Sequence, residues 1–445
     1  MTTELAPSED ATRSLPLARR LVRYPVVQFL IVFACALLVS APFLGQRIRE
    51  TPGISPQDEL SYIDTLVRIQ DGQLLMRQGE TLDEETLQEL GCRGVDASAL
   101  VPDVAVCKGT SSSDVEFYNT ADIDPPVYHW TVAALSYLPF DVGVTQNMIT
   151  AARLLGIVWC ALTMTLIFFL ARRLGAPVAA AAAASSTVLW LSIVNIQFQY
   201  VTPHSTGALV GAVVALVVAS RLQDKVGWWL VTLAALLAAT VKLTNLVIVM
   251  AGCAAFLAAF AWHREEGPRP RRRLWDAVNL GATAVAATLA WVVIRRLTRT
   301  SDVEPYPWAV VDSLSLPQVL ENLGAFVYPW STGTARGFAI LLAVAVFGVA
   351  GWLVLSRDTA AVQRNLAIGL LASAALAPIA LVVMNWVVTR YYVPTQGRYG
   401  LSLVPLAVAL AASQVRARWL QITLVVVSLV AFWLAWQSAP SLAGS

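Results

Sequence analysis

The sequence predicts an all-α polytopic membrane protein with about eleven transmembrane helices, on three observations. Of 445 residues, 57% are hydrophobic and 13% charged, against roughly 25% charged in an ordinary soluble domain. Apolar windows of about 17–25 residues, the length that crosses a bilayer, recur along the chain. Basic residues gather in every second connection between those windows, the pattern that orients helices with positive charge inside. Alanine-rich spans and arginine-rich ends give the chain the composition of a GC-rich, actinobacteria-like genome. Membrane lipids are expected partners and nucleic acid is not.

The tail 1–25 is polar, carries Arg13, Arg19, Arg20 and Arg23, and is assigned to the cytoplasm. The first apolar window, 26–44, is too long for a signal-peptide core and many others follow, so it reads as an uncleaved helix. Further windows fall near 149–171, 178–197, 205–221, 227–243, 246–263, 275–295, 337–356, 365–387, 399–415 and 419–437. Arg172-Arg173, Arg221 with Lys225, Arg271-Arg272-Arg273, Arg357 with Arg364, and Arg416 with Arg418 then mark the cytoplasmic connections. The whole of 26–445 is read as one membrane domain.

Two long connections fall on the opposite, extracytoplasmic side. The first, 45–148, opens on an amphipathic stretch in which Leu60, Ile63, Leu66, Val67 and Leu74 suit a helix lying along the membrane surface. Its acidic middle, 80–116, is expected to pack loosely. Cys92 and Cys107 lie in this loop and are placed to form a disulfide in an oxidising compartment. Cys35, Cys160 and Cys253 fall in apolar spans and read as small buried residues. The second connection, 297–336, has apolar residues at helical spacing between Ser315 and Tyr328.

The chemistry-bearing residues gather on this outer side. Ser55-Pro56-Gln57-Asp58 has the form of a capping box, so Asp58 and Glu59 read first as helix-start carboxylates. A partly desolvated carboxylate there also suits a general base that accepts a hydroxyl proton. Asp124 precedes Pro125-Pro126, which fix an extended backbone where the loop returns to the bilayer. Tyr128 and His129 follow at the interface, and His204 occupies a polar outer turn after Pro203. Lys242 lies near the outer end of a span, where a charge must snorkel, pair or meet an anion. Arg295 and Arg296 sit outside against the charge rule and call for negative partners, either lipid phosphates or the acids of the first loop. Gly397-Arg398-Tyr399 opens a late span with a guanidinium at the membrane rim, the group suited to phosphate.

Other chemistries lack their signatures. There is no Walker loop, no internal repeat, no acyl-transfer motif and no Cys/His zinc spacing. A divalent cation such as Mg or Mn, if used, would take its oxygen ligands from Asp58, Glu59 or Asp124.

Pro56-Gln57-Asp58-Glu59, Asp124-Pro125-Pro126-Val127-Tyr128 and Gln396-Gly397-Arg398-Tyr399, in that order around a lone Lys242, resemble the GT-C superfamily of polytopic glycosyltransferases. The likeness is strongest to its bacterial DUF2142-type branch. It implies a GT-C-like fold in the bacterial cytoplasmic (inner) membrane, working at its outer face. It implies a polyprenyl-phosphate-linked sugar as donor, a cell-envelope glycan or lipid as acceptor, and an acid of the first outer loop as base. That role falls on Asp58, with Glu59 second and Asp124 as the further acid. Substrate contacts would fall on Lys242, Arg398, Tyr399, His129, His204, Arg295, Arg296 and Tyr128. Where the branch often carries a His after the acids, this chain has Tyr62 and Asp64. The competing readings are a transporter or flippase of a lipid-linked glycan and, behind it, a membrane scaffold.

Overall fold

Proline at the first turn and a run of apolar residues start the first long helix, α1 (Pro25–Glu50), at the residue where the polar tail ends. A computed structural model describes residues 24–55, 58–94, 118–145, 147–262, 269–301, 314–326, 336–389, 392 and 394–438. The other described elements are helical as well. The loop after α1 holds α2 (Glu59–Gln70) and α3 (Glu84–Arg93), and α4 (Val127–Asp141) leads back to the bundle. Then come α5 (Met148–Arg173), α6 (Val178–Trp190), α7 (Gly207–Leu222), α8 (Trp228–Val241), α9 (Leu246–Trp262) and α10 (Arg269–Thr298). The short α11 (Leu316–Glu321) precedes α12 (Arg336–Leu355), α13 (Ala361–Thr389), α14 (Val404–Gln414) and α15 (Arg418–Gln437).

Eight of the described helical segments are long and apolar enough to cross a bilayer, and nine if α6 and the bent Ser192–Phe198 segment count as one span. Each of the eleven windows expected from sequence holds a helix, but three of them are short: α6 has 13 residues before the bend at Leu191. α8 has 14 residues and α14 has 11, because Lys242 and the Gly397–Leu403 segment interrupt the apolar windows they were expected to fill.

Side chains tie the helices together at both polar ends of the bundle. At one end Arg273 donates to the carbonyls of Arg221 and Leu222, Arg221 pairs with Asp276, and Gln363 donates to the Leu174 carbonyl. At the other end Arg47, in the last turn of α1, donates to the carbonyls of Ala435 and Trp436 in the last turn of α15. Exposed Trp228, Trp229, Trp262, Trp275, Trp352 and Trp419 ring the first of these ends, as an interfacial girdle requires.

The opposite end is where helices break. The segments Ile196–Phe198, Pro203–Thr206, Leu243–Asn245 and Gly397–Leu403 are all 3-10 turns, and the last is seven residues long. Such turns rarely run beyond three or four residues, so a run of seven marks a constrained place. Two glycines let these breaks dock against intact helices. A Cβ at Gly156 of α5 would lie 2.0 Å from the Phe198 carbonyl oxygen, and one at Gly211 of α7 would lie 2.0 Å from that of Ser402.

The described part of the first long loop is folded rather than loose. α3 is capped by Asp83, whose side chain accepts from the Glu85 amide at 2.9 Å. Thr81 bridges Tyr118, so the described part of the acidic middle, 80–94, is folded against the return segment. The Cys92–Cys107 pairing lies outside the described residues. α2 is not a helix lying along a surface: Ser61, Tyr62, Ile63, Asp64, Thr65 and Leu66 are all buried, while Leu74 is exposed. Asp64 accounts for part of that burial, accepting from Arg68 at 2.8 Å, Asn119 at 2.7 Å and the Asp83 amide at 2.6 Å. In the second long loop the expected helix is only Leu316–Glu321; Phe326 is buried against Gly400, and Tyr328 lies outside the described residues.

Candidate functional site

Asp58 precedes the first residue of α2, with φ 65° and ψ −1°. That is the left-handed region, which costs a non-glycine residue about 1–2 kcal/mol but which Asp and Asn tolerate best. The capping box expected from Ser55 is not formed as predicted. Helix α2 starts at Glu59, and the Asp58 side chain makes no capping bond. It turns instead to Arg398, with Oδ2 3.2 Å from Nη2.

Glu59 points the other way, into the protein. Its carboxylate is fully buried and receives a two-pronged pair of bonds from Arg153 of α5, at 2.9 and 2.8 Å. The amides of Ser55 and Val201 donate to the same two oxygens, each at 2.8 Å. Arg153 spends its remaining donors on the carbonyls of Thr51 and Gly53. Glu59 is thus a structural junction between the loop, α2, α5 and the turn at 201. It has no oxygen left for a substrate proton, which corrects its expected place beside Asp58.

Asp124 is buried at the end of the Ala121–Ile123 turn and accepts from Lys242 Nζ at 2.6 Å and from the Tyr62 hydroxyl at 3.2 Å. Lys242 therefore pairs rather than snorkels; the break between α8 and Leu243–Asn245 lets it reach the loop. Tyr62, which sequence reasoning left without a role, sits at the centre. Burial, then Asp124 and Asp58, hold its hydroxyl in the protonated form, and the charges of Arg398 and the Tyr399 ring bear on it too. One signal could have found it: it is four residues past Asp58, on the same side of a helix.

His129 packs its ring 5.6 Å from that of Tyr62, and neither ring nitrogen has a partner among the described residues. Burial first, with Lys242 adding to it, lowers its pKa to about 4, while Asp124 pulls the other way. The imidazole is neutral at neutral pH, so it offers a hydrogen bond rather than a charge to any ligand. His204 is buried and stacks on Tyr399 with ring centroids 5.7 Å apart and planes 14° apart. Tyr399 in turn lies beside Arg398, whose Cζ is 5.8 Å from its ring centre. Tyr128 is buried, packs its ring edge-on against that of His129 with centroids 5.3 Å apart, and meets Ser205 through its hydroxyl.

Arg295 meets the acids of the first loop, the second of its two expected partners: its Nε lies 2.5 Å from Asp122 Oδ2. Burial of that carboxyl raises its pKa to about 6 against the opposing pull of Arg295. Trp291, one turn earlier in α10, donates to the Ile123 carbonyl. Arg296 is exposed.

Asp58, Asp124, Lys242, Arg398, Tyr399, His129 and His204 therefore converge around Tyr62, drawn from the first long loop and from three of the helix breaks. Among the described residues no three His, Cys, Asp or Glu side chains come together. A divalent ion at Asp58, Glu59 or Asp124 would have to displace an arginine or a lysine. What the arrangement offers is a half-exposed carboxylate beside a guanidinium, above a buried, charge-neutral Asp–Lys pair.

No family model matches the chain. No characterised protein matches its sequence either. Among solved structures it resembles ArnT from Cupriavidus metallidurans, crystallised with undecaprenyl phosphate, at 16% identity and a TM-score of 0.46. The alignment covers 87% of this chain and 59% of that one. This is a likeness of helical outline at a level that carries no functional argument.

Proposed function

We propose that this protein is a membrane glycosyltransferase of GT-C type. It moves a sugar from a polyprenyl-phosphate donor to a cell-envelope glycan or lipid acceptor at the outer face of the cytoplasmic membrane. The observation that supports this reading most is the meeting of Asp58, Arg398, Asp124 and Lys242 around one tyrosine at the end of the bundle where the helices break. An enzyme of this kind needs a base for the acceptor, cations for the leaving phosphate and access from the lipid, and these residues supply the first two.

The step balances with the groups present. Asp58 takes the proton of the acceptor hydroxyl as its oxygen attacks the anomeric carbon. The bond from that carbon to the phosphate oxygen breaks, and the polyprenyl phosphate leaves with the electron pair. Arg398, with Lys242 behind it, stabilises the charge that develops there, and preorganised cations of this kind are commonly the largest part of such catalysis. His129 and Tyr62 are placed to orient hydroxyls rather than to carry charge.

The transporter reading has one observation in its favour, the interrupted helices, since discontinuous spans form the substrate sites of many transporters. Those sites lie near the midplane, whereas the breaks here gather with the acids of the outer loop. This supports the enzyme. The test is a transfer assay on purified protein with a panel of polyprenyl-phosphate sugars, with and without chelator. Asp58→Asn is expected to lower turnover by roughly 100-fold or more with an unchanged melting curve. Undiminished transfer, or a collapsed fold, sinks the assignment.

A further inference from the structure

Arg398, which also bonds the Tyr399 hydroxyl, has one edge incompletely used. Its Nη2 meets Asp58 at 3.2 Å, but its Nε is buried and has no partner among the described residues. A guanidinium presents Nε and Nη2 as two parallel donors, the edge that fits two oxygens of a carboxylate or phosphate together. Asp58 fills one of these two places, and poorly. Its side chain is 45% exposed, against 11% for Arg398, so the bond is open to exchange with solvent anions. Lys242 is different: its carboxylate partner is buried with it at 2.6 Å. Of the two cations, Arg398 holds the replaceable partner.

Asp58 itself is held in an unusual way. A helix-start Asp ordinarily turns its carboxylate back onto the first amides of the helix. Here it makes no such bond and takes a left-handed backbone that points it at Arg398.

We propose that Asp58 occupies the phosphate seat of Arg398 when the donor is absent, and that the donor's phosphate expels it. Carboxylate and phosphate are mutually exclusive on that edge, because the phosphate needs both donors and repels the carboxylate. Donor binding then frees the base, and the acceptor meets an unpaired Asp58 only once the sugar is in place. The site is thereby ordered, donor first. This rests on the glycosyltransferase reading above and adds to it the link between its base and its anion site.

Binding of undecaprenyl phosphate to the purified full-length protein, with undecaprenol and inorganic phosphate as parallel probes, tests this without turnover. Asn tolerates the left-handed backbone, so Asp58→Asn keeps the fold and removes the competing charge. That variant is expected to bind undecaprenyl phosphate about threefold to tenfold more tightly, consistent with loss of one partly exposed ion pair. Arg398→Gln is expected to bind it at least about tenfold more weakly. Undecaprenol is expected to bind all three proteins alike. Equal or weaker binding by Asp58→Asn overturns the exchange while leaving the enzyme reading intact. No binding of the lipid phosphate to wild type overturns the enzyme reading. A gain by Asp58→Asn for inorganic phosphate alone overturns the lipid as the occupant.

Discussion

Asp58 and Glu59 are neighbours in sequence and opposites in role. The difference is one of direction: a left-handed φ at residue 58 sends its side chain outward, while residue 59 begins the helix and points in. Removing one partner of a buried, hydrogen-bonded ion pair leaves the other charge stranded, at a cost of about 3–5 kcal/mol. Glu59→Gln and Arg153→Met are each expected to be destabilised on that scale, seen as a large fall in melting temperature in detergent. Asp58→Asn should melt within a degree or so of wild type. Asp122 gives a second residue-scale expectation. Its folded pKa is raised to about 6, so the native state holds that proton more tightly than the unfolded chain does. Its contribution is then fully present below about pH 4 and is lost as pH rises through about 6, a difference of up to about 3 kcal/mol. Amide protection in residues 121–124, with the intrinsic pH dependence of exchange divided out, should accordingly fall between pH 4 and 6.5 in wild type and stay flat in Asp122→Asn. A pH-independent wild type would remove this account of Asp122.

At the scale of elements, hydrophobic windows are easily read from sequence but the breaks inside them are not. Lys242 and Arg398 stood out because charge is costly in a span, yet nothing in the apolar pattern says that a helix stops for each of them. The reason is tertiary. Each break is held by contacts with a distant segment, such as Asn322 accepting from the Thr395 amide at 2.6 Å. Glu59 was misjudged for the same cause: its partner Arg153 is 94 residues away and sits inside an apolar window. Amphipathicity also misled for α2, because buried ion pairs and amide contacts took its polar face inside. The glycine docking points make a direct test of the breaks. Gly211→Ala would push a methyl into the Ser402 carbonyl and shift the Gly397–Leu403 turn that carries Arg398. It should lower thermal stability and undecaprenyl phosphate affinity together, with a stability loss on the order of 1–3 kcal/mol. Gly348→Ala, which meets nothing within 4 Å inside a helix, should lower neither.

Across the whole molecule the two ends of the bundle differ in kind. One is ringed by exposed tryptophans and closed by arginine contacts to carbonyls and to Asp276; the other holds the interrupted helices and the folded loop. If the charge pattern orients the chain as expected, a membrane-impermeant thiol reagent on intact cells should label Asp71→Cys and spare Lys225→Cys, in a background lacking Cys92 and Cys107. The reverse pattern would invert the proposed site to the cytoplasmic face.

The Glu59–Arg153 junction also sets a timetable for making the protein. Its two halves are separated by 94 residues, and the Val201 amide that completes it lies 142 residues beyond Glu59. At roughly 5–20 residues per second, a ribosome needs roughly 5–20 s to supply the arginine and a few seconds more for the amide. During that interval the first loop has emerged with its glutamate unmatched, so it cannot close onto the bundle. The loop that carries Asp58 is therefore fastened only after α5 has been inserted, and Asp58 is positioned by a helix synthesised well after it.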